Sequence, residues 1–269
     1  MTTHSQDPNT TNDVDKDALD DVHKAPLIAH LTELRRRLMW CIAFVLVAFA
    51  GAYYFSEQIY DFLVQPLLKA LGPDSSHRMI YTALHEAFFT YLKVSFFAAI
   101  FITFPLITVQ IWKFVAPGLY QHEKKAFLPF LIGTPFLFFA GGALAYYVVI
   151  PMAWKFFIQF EKAQTAGAMA IQLEAKVNEY LALVMKLIFA FGLCFELPIL
   201  LLLLAKVGVV TADGLARGRK YAVVIAFAAA AILTPPDIIS QIMLGIPILL
   251  LYELSIIAIR MTSGKKKNV

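Results

Sequence analysis

The chain has 269 residues, 59% of them hydrophobic and only 16% charged, with a mean hydropathy of +0.68 and a formal net charge of +4. A water-soluble domain is about 45–50% apolar and about 25% charged. The excess here falls in blocks, which excludes an ordinary soluble domain and points to an all-α polytopic membrane protein.

Residues 1–23 are polar and acidic, with Asp7, Asp13, Asp15, Asp17, Asp20 and Asp21. They have too little apolar surface to fold and are expected to be a disordered tail. No cleavable signal peptide is expected, because the first apolar run starts too late and is too long. Residues 24–260 then form the membrane domain, and residues 261–269 a basic tail.

Pro26 suits a first helical position. Leu27, Leu31, Leu34 and Leu38 follow at helical spacing, so an amphipathic helix on the membrane surface should lead into a first span over Leu38–Phe55. His30, Glu33 and Arg37 fall beside that apolar face, and Arg35 on its opposite flank. Ser56–Leu71 has helical spacing and is expected on the outer interface. Further spans are expected over Tyr91–Val115, Ala126–Ile150 and Tyr180–Ala205. Each reaches the ~20 residues that a bilayer core requires. Tyr146, Tyr147 and Trp154 fit an interfacial aromatic belt.

The last two apolar runs, Tyr221–Thr234 and Ile238–Tyr252, are shorter and flank the turn Thr234-Pro-Pro-Asp237. They read as a hairpin of two short spans that mismatches the bilayer. A re-entrant hairpin is the alternative.

Six spans put both termini on one side. Fifteen of the 23 lysines and arginines gather on that side, around Arg35–Arg37, Lys113, Lys124–Lys125, Lys206, Arg217–Lys220 and the C-terminus, against seven on the other. The positive-inside rule makes the richer side cytoplasmic.

Chemistry-bearing motifs are few. No phosphate-binding glycine loop, nucleophile elbow or metal-spaced His/Cys set occurs, and both cysteines, Cys41 and Cys194, lie in apolar runs as expected of buried thiols. Neither enzyme activity nor a cofactor or metal is expected. Glu196, in Phe191-Gly-Leu-Cys-Phe-Glu-Leu-Pro198, is the sharpest anomaly. A charged carboxylate at that depth costs about 2.5–3.5 kcal/mol on insertion scales. Pro198 frees the Cys194 carbonyl and favours a kink, so acid and carbonyl could form a polar notch or a bond to a neighbouring helix. Lys186 is too far along the helix to pair with Glu196 and is expected to snorkel outward. Glu33 and Glu123 are carboxylates set among basic residues of the cytoplasmic side. Together they would suit a guanidinium partner, although singly each could be a surface ion pair.

Four phrases resemble one family: His30-Leu-Thr-Glu-Leu-Arg-Arg-Arg37, Trp112-Lys-Phe-Val-Ala-Pro-Gly-Leu-Tyr-Gln-His-Glu123, Phe195-Glu-Leu-Pro198 and Leu233-Thr-Pro-Pro-Asp-Ile-Ile-Ser-Gln241. In order and over Pro26–Arg260, they resemble the C component of the twin-arginine protein translocase, the TatC family. The resemblance implies a glove-like, concave bundle of six helices with short fifth and sixth spans, in the bacterial inner membrane. It implies a receptor for folded proteins with Arg-Arg signal peptides, which nucleates a translocase driven by the proton motive force. Partners would be those signal peptides, single-span components of the TatA and TatB type, membrane lipid and further copies of the chain; no nucleic acid is implied.

By the same resemblance, Glu33 and Glu123 would hold the twin arginines, with Arg35 and Phe114 nearby. Glu196 would sit in the concave face, Thr234 and Gln241 would contact partner helices, and Pro66, Pro198 and Asp237 would be structural. Ala231 and Lys186 depart from the family pattern. The competing function is a secondary transporter using Glu196 as a proton or cation site, but the repeat symmetry typical of such folds is missing.

The six-span topology has a direct test. A cysteine introduced at Gly167 should react with an impermeant thiol reagent added to intact cells, and one at Gly214 should not. Outside labelling of the Gly214 position would overturn the topology.

Overall fold

The computed structural model describes residues 10–72, 79–119, 128–159, 174–233 and 238–264. Glu123, Thr234 and Asp237 lie outside the described residues, as do the first nine and last five residues of the expected tails.

The described chain is helical, and its single β feature is an isolated bridge between Ile80 and Lys176. In order, the helices are α1 (Thr10–Tyr54), α2 (Ser56–Leu71), α3 (Glu86–Leu119), α4 (Leu128–Leu144), a π-turn (Ala145–Val149), α5 (Ile150–Ile158), α6 (Val177–Phe195), α7 (Leu197–Val207), α8 (Ala212–Arg217), α9 (Arg219–Leu233) and α10 (Ile238–Gly264). Among the described residues, five stretches are long and apolar enough to cross a membrane: His30–Tyr54, Glu86–Phe114, Phe130–Ile158, Val177–Val207 and Gln241–Thr262.

The surface helix runs into the first span, as expected, in one continuous helix, α1, which begins at Thr10. Extending an existing helix adds a hydrogen bond per residue without a new nucleation cost. The last helix is not short: α10 has 27 residues and passes straight through Glu253. That carboxylate is held by Arg219 in a two-bond fork, Nε to Oε1 at 2.7 Å and Nη2 to Oε2 at 2.9 Å, so it needs no break in the helix. Lys186 does not simply point away. Its Nζ donates to the Ile232 carbonyl at 2.8 Å, satisfying an acceptor in the last turn of α9. The helix α9, where a short span was expected, has 15 residues, or about 22 Å at 1.5 Å per residue.

Prolines and their freed carbonyls shape the interior. Pro66 lies inside α2 and cannot bond the carbonyl of Phe62. The Tyr146 hydroxyl fills that gap, donating to Phe62 O at 2.5 Å, and its ring stacks on the Phe62 ring at 4.4 Å. One residue on, the buried Tyr180 hydroxyl donates to Leu63 O at 2.9 Å. Two tyrosines from different helices thus fasten α2 where its own ladder is interrupted. Leu63, Val64 and Leu67 pack beneath with Ile150, Trp154 and Leu181, so this end of the molecule holds much of the core. Pro151, at the start of α5, removes another donor, and the chain before it widens to a π-turn in which Ile150 N–H reaches Ala145 O.

The middle of the bundle depends on close approach of α4 and α6. A Cβ at Gly141 would stand 2.5 Å from the Phe191 carbonyl oxygen, and one at Gly192 would stand 2.7 Å from the Phe138 ring. Small residues of this kind let helices meet closely in lipid, where packing replaces the hydrophobic drive. Phe138 fills the space they leave. It is fully buried, stacks on Phe104 at 3.6 Å and meets Phe189 edge-on at 5.8 Å. Buried hydroxyls close on their own helices: Thr103 donates to Ala99 O and Ser255 to Leu251 O.

Gly141→Ala is expected to lower the melting temperature of the detergent-solubilised protein, because the clash is with backbone and overpacking typically costs about 1–3 kcal/mol. Gly51→Ala, in open space, should leave it unchanged or raise it slightly. Equal melting temperatures for the Gly141 variant and the parent would refute the packing argument.

Candidate functional site

The basic end of the molecule is where α1 enters its apolar run and α3 leaves its own. The two helices run antiparallel, with Phe49 against Phe96 in the middle, which brings residues 30–37 beside residues 110–114.

His30 stacks on Phe114, ring centroids 4.2 Å apart and planes 20° apart. One turn further, Glu33 accepts from Arg37, an i,i+4 pair on the face that meets α3. Arg37 Nε donates to Glu33 Oε1 at 3.0 Å, and Nη2 donates to the same oxygen. Arg37 Nη1 reaches across to Gln110 Oε1 on α3 at 3.4 Å, a long contact. Both bonds from Arg37 end on one carboxylate oxygen, and among the described residues Glu33 Oε2 takes no hydrogen bond. A second guanidinium could be received there without displacing the first.

The structure therefore brings together Glu33, Phe114, His30 and Arg37. It sets Arg35 apart: Arg35 lines a separate depression with Thr32, Met39 and Ala43. Glu123 follows α3 by a few residues, outside the described chain. Gln110 was not singled out from the sequence. Its signal was there, as a lone amide inside the apolar run of α3 about one turn from Phe114.

Glu196 belongs to a different layer. The long fourth span breaks where Pro198 demands it: α6 ends at Phe195, Glu196 N–H turns back to the Leu193 carbonyl at 3.1 Å, and α7 resumes at Leu197. The Glu196 side chain turns toward Thr134 on α4. Neither Glu196 Oε1 nor Thr134 Oγ1 completes a hydrogen bond of ordinary geometry, and both atoms are buried. Two unsatisfied polar atoms beside a broken helix form a locus in the membrane domain that could accept a polar group from outside the chain.

Gln241 is turned inward. Its Nε2 donates to the Phe227 carbonyl at 3.0 Å, tying α10 to α9, while Gly245 lets the Phe227 ring lie against the α10 backbone.

The family model for Sec-independent protein translocase protein (TatC) matches residues 29–247. The Sec-independent protein translocase protein TatC of Magnetococcus marinus is 56% identical over 238 residues, covering 88% of this chain and 85% of that protein. The protein of the same description from Escherichia coli K12 is 40% identical over 243 residues, covering 90% and 91%. A crystal structure described as the twin arginine translocase receptor TatC superposes with a TM-score of 0.74 at 38% identity, over 87% of this chain and 99% of that one.

Proposed function

The chain belongs to the TatC family of Sec-independent protein translocase proteins, and we propose that it captures the Arg-Arg signal peptides of folded proteins at the cytoplasmic face of the inner membrane. The observation that carries this reading is the Glu33 carboxylate. It is held in place by Arg37 through one oxygen, while the other takes no hydrogen bond among the described residues, beside the His30–Phe114 stack. A planar guanidinium fits such a site better than an ammonium, because it offers paired donors and stacks on rings. Glu123, a few residues beyond Phe114, supplies the second carboxylate for the second arginine, and Arg35 orients the segment around them.

The same reading takes α9 as a short fifth span, giving six spans in a glove-like bundle with both termini in the cytoplasm, in accord with the basic asymmetry. The mismatch around α9 makes that side the docking face for single-span components of the TatA and TatB type, with Thr234 at the turn and Gln241 behind it. Glu196 and Thr134 offer polar atoms to a partner in the concave face. Transport then draws on the proton motive force through the assembled complex.

Two experiments test these roles. Glu33→Gln and Glu123→Gln should each weaken capture of an Arg-Arg signal peptide by about ten-fold or more, and the double change should nearly abolish it. A Lys-Lys signal should bind poorly to the parent and lose less in either variant. Equal losses for both signals would show that the carboxylates act by general charge alone. For the intramembrane acid, Glu196→Gln should largely retain export of folded cargo and Glu196→Leu should impair it, as a polar contact requires. Equal failure of both would assign Glu196 to proton transfer instead.

A further inference from the structure

Among the described residues, Glu33 makes a direct ion pair with only one cation at this end of α1, Arg37. Arg36 and Lys113 make no ion pair among the described residues, yet they converge on one depression of about 420 Å³ between α1 and α3. Arg37, Gln110, Trp40 and Phe44 complete its lining. Concentrated positive charge of this kind is costly to hold together unless an anion is shared among the cations.

The order of residues along α1 identifies what sort of anion. Arg36, Trp40 and Phe44 are spaced four apart, so they descend one helix face from the charged end into the apolar run. The descent is about 12 Å at 1.5 Å per residue. Trp40 and Phe44 form a continuous aromatic wall, ring centroids 5.8 Å apart. Trp40 is 55% exposed, so the wall is open to an occupant. The site is thus cationic at the top and aromatic below. A free phosphate would use only the upper half. An arginine-bearing peptide would meet three cations and be repelled. An amphiphile with an anionic head and a hydrocarbon tail matches both halves, and basic pockets between helices at a membrane surface are suited to such heads.

We propose that this depression is a binding site for an anionic phospholipid, with the phosphodiester between Arg36 and Lys113, the Gln110 amide beside it, and an acyl chain along Trp40 and Phe44. A second depression, of about 500 Å³, opens on the other side of the Arg36–Trp40 ridge and is lined also by Arg35 and Met39. It gives the second acyl chain or a larger head a place to lie. The bound lipid screens Arg36 and Lys113, and so lowers the repulsion that a cationic peptide meets on its way to Glu33. The site itself does not depend on the signal-peptide role of Glu33.

The test uses the purified full-length protein in detergent and native mass spectrometry with dioleoylphosphatidylglycerol, dioleoylphosphatidylcholine or inorganic phosphate. The parent should retain the anionic lipid about ten-fold more strongly than the zwitterionic one. The double substitution Arg36→Gln with Lys113→Gln should reduce that preference to near unity, while Lys155→Gln, at the far end of α5, should keep it. A second measurement needs no variant: phosphatidylglycerol should raise the parent's melting temperature more than phosphatidylcholine does, and about 1 M salt, where the screening length is about 3 Å, should remove the difference. Equal retention of the two lipids by the parent would overturn the proposal. So would an unchanged preference in the double variant, or a salt-insensitive difference in melting temperature. Displacement of the lipid by a modest excess of inorganic phosphate would reassign the depression to a free anion.

Discussion

A backbone carbonyl inside a bilayer has no water to turn to, and leaving it without a donor costs several kcal/mol. This chain breaks its helices repeatedly with proline, and each break frees such a carbonyl. Much of the tertiary structure answers that constraint. Tyr146 reaches from the π-turn to the Phe62 carbonyl left open by Pro66, and Tyr180 reaches the next one from α6. Lys186 serves the Ile232 carbonyl in the last turn of the short helix α9, and Gln241 adds a second bond to that helix at the Phe227 carbonyl. Some of the bonds that complete one helix therefore come from another, so they double as links between helices.

Glu196 is one point where the pattern stops short. The helix breaks at Pro198, and beside the break the buried Glu196 Oε1 and Thr134 Oγ1 face each other without a hydrogen bond of ordinary geometry; among the described residues the buried Thr90 Oγ1 and Trp154 Nε1 also lack one.

Charge is arranged with similar economy at the basic end. Among the described residues, Arg37 is divided between Glu33 and Gln110, Arg219 is locked to Glu253, and Arg260 lies 3.4 Å from Asp213. Arg36 and Lys113 stand outside these pairs. One face of α1 consequently carries a carboxylate, while the neighbouring depression gathers cations. The two surfaces lie a few residues apart on one helix and carry opposite sign.

The sequence by itself determined the helical membrane character, the bounds of α2, the break before Pro198 and the shortness of α9. These follow from apolar run length, helical spacing and proline chemistry, all of which act between near neighbours in the chain. It also marked Glu33 and Glu196 as carboxylates out of place. Only the tertiary structure decided what each of them meets, because Gln110, Phe114 and Thr134 lie on other helices and no local rule fixes which helix faces which. The same holds for α10, where Glu253 looked like an interruption until Arg219, 34 residues away, proved to hold it. Lys186 was visible as a charge inside an apolar run and Gln241 through the resemblance, yet their partners are carbonyls of α9 brought near by packing. Helix-forming tendency is written locally, whereas the satisfaction of polar groups in a medium without water is settled only when the helices close on one another.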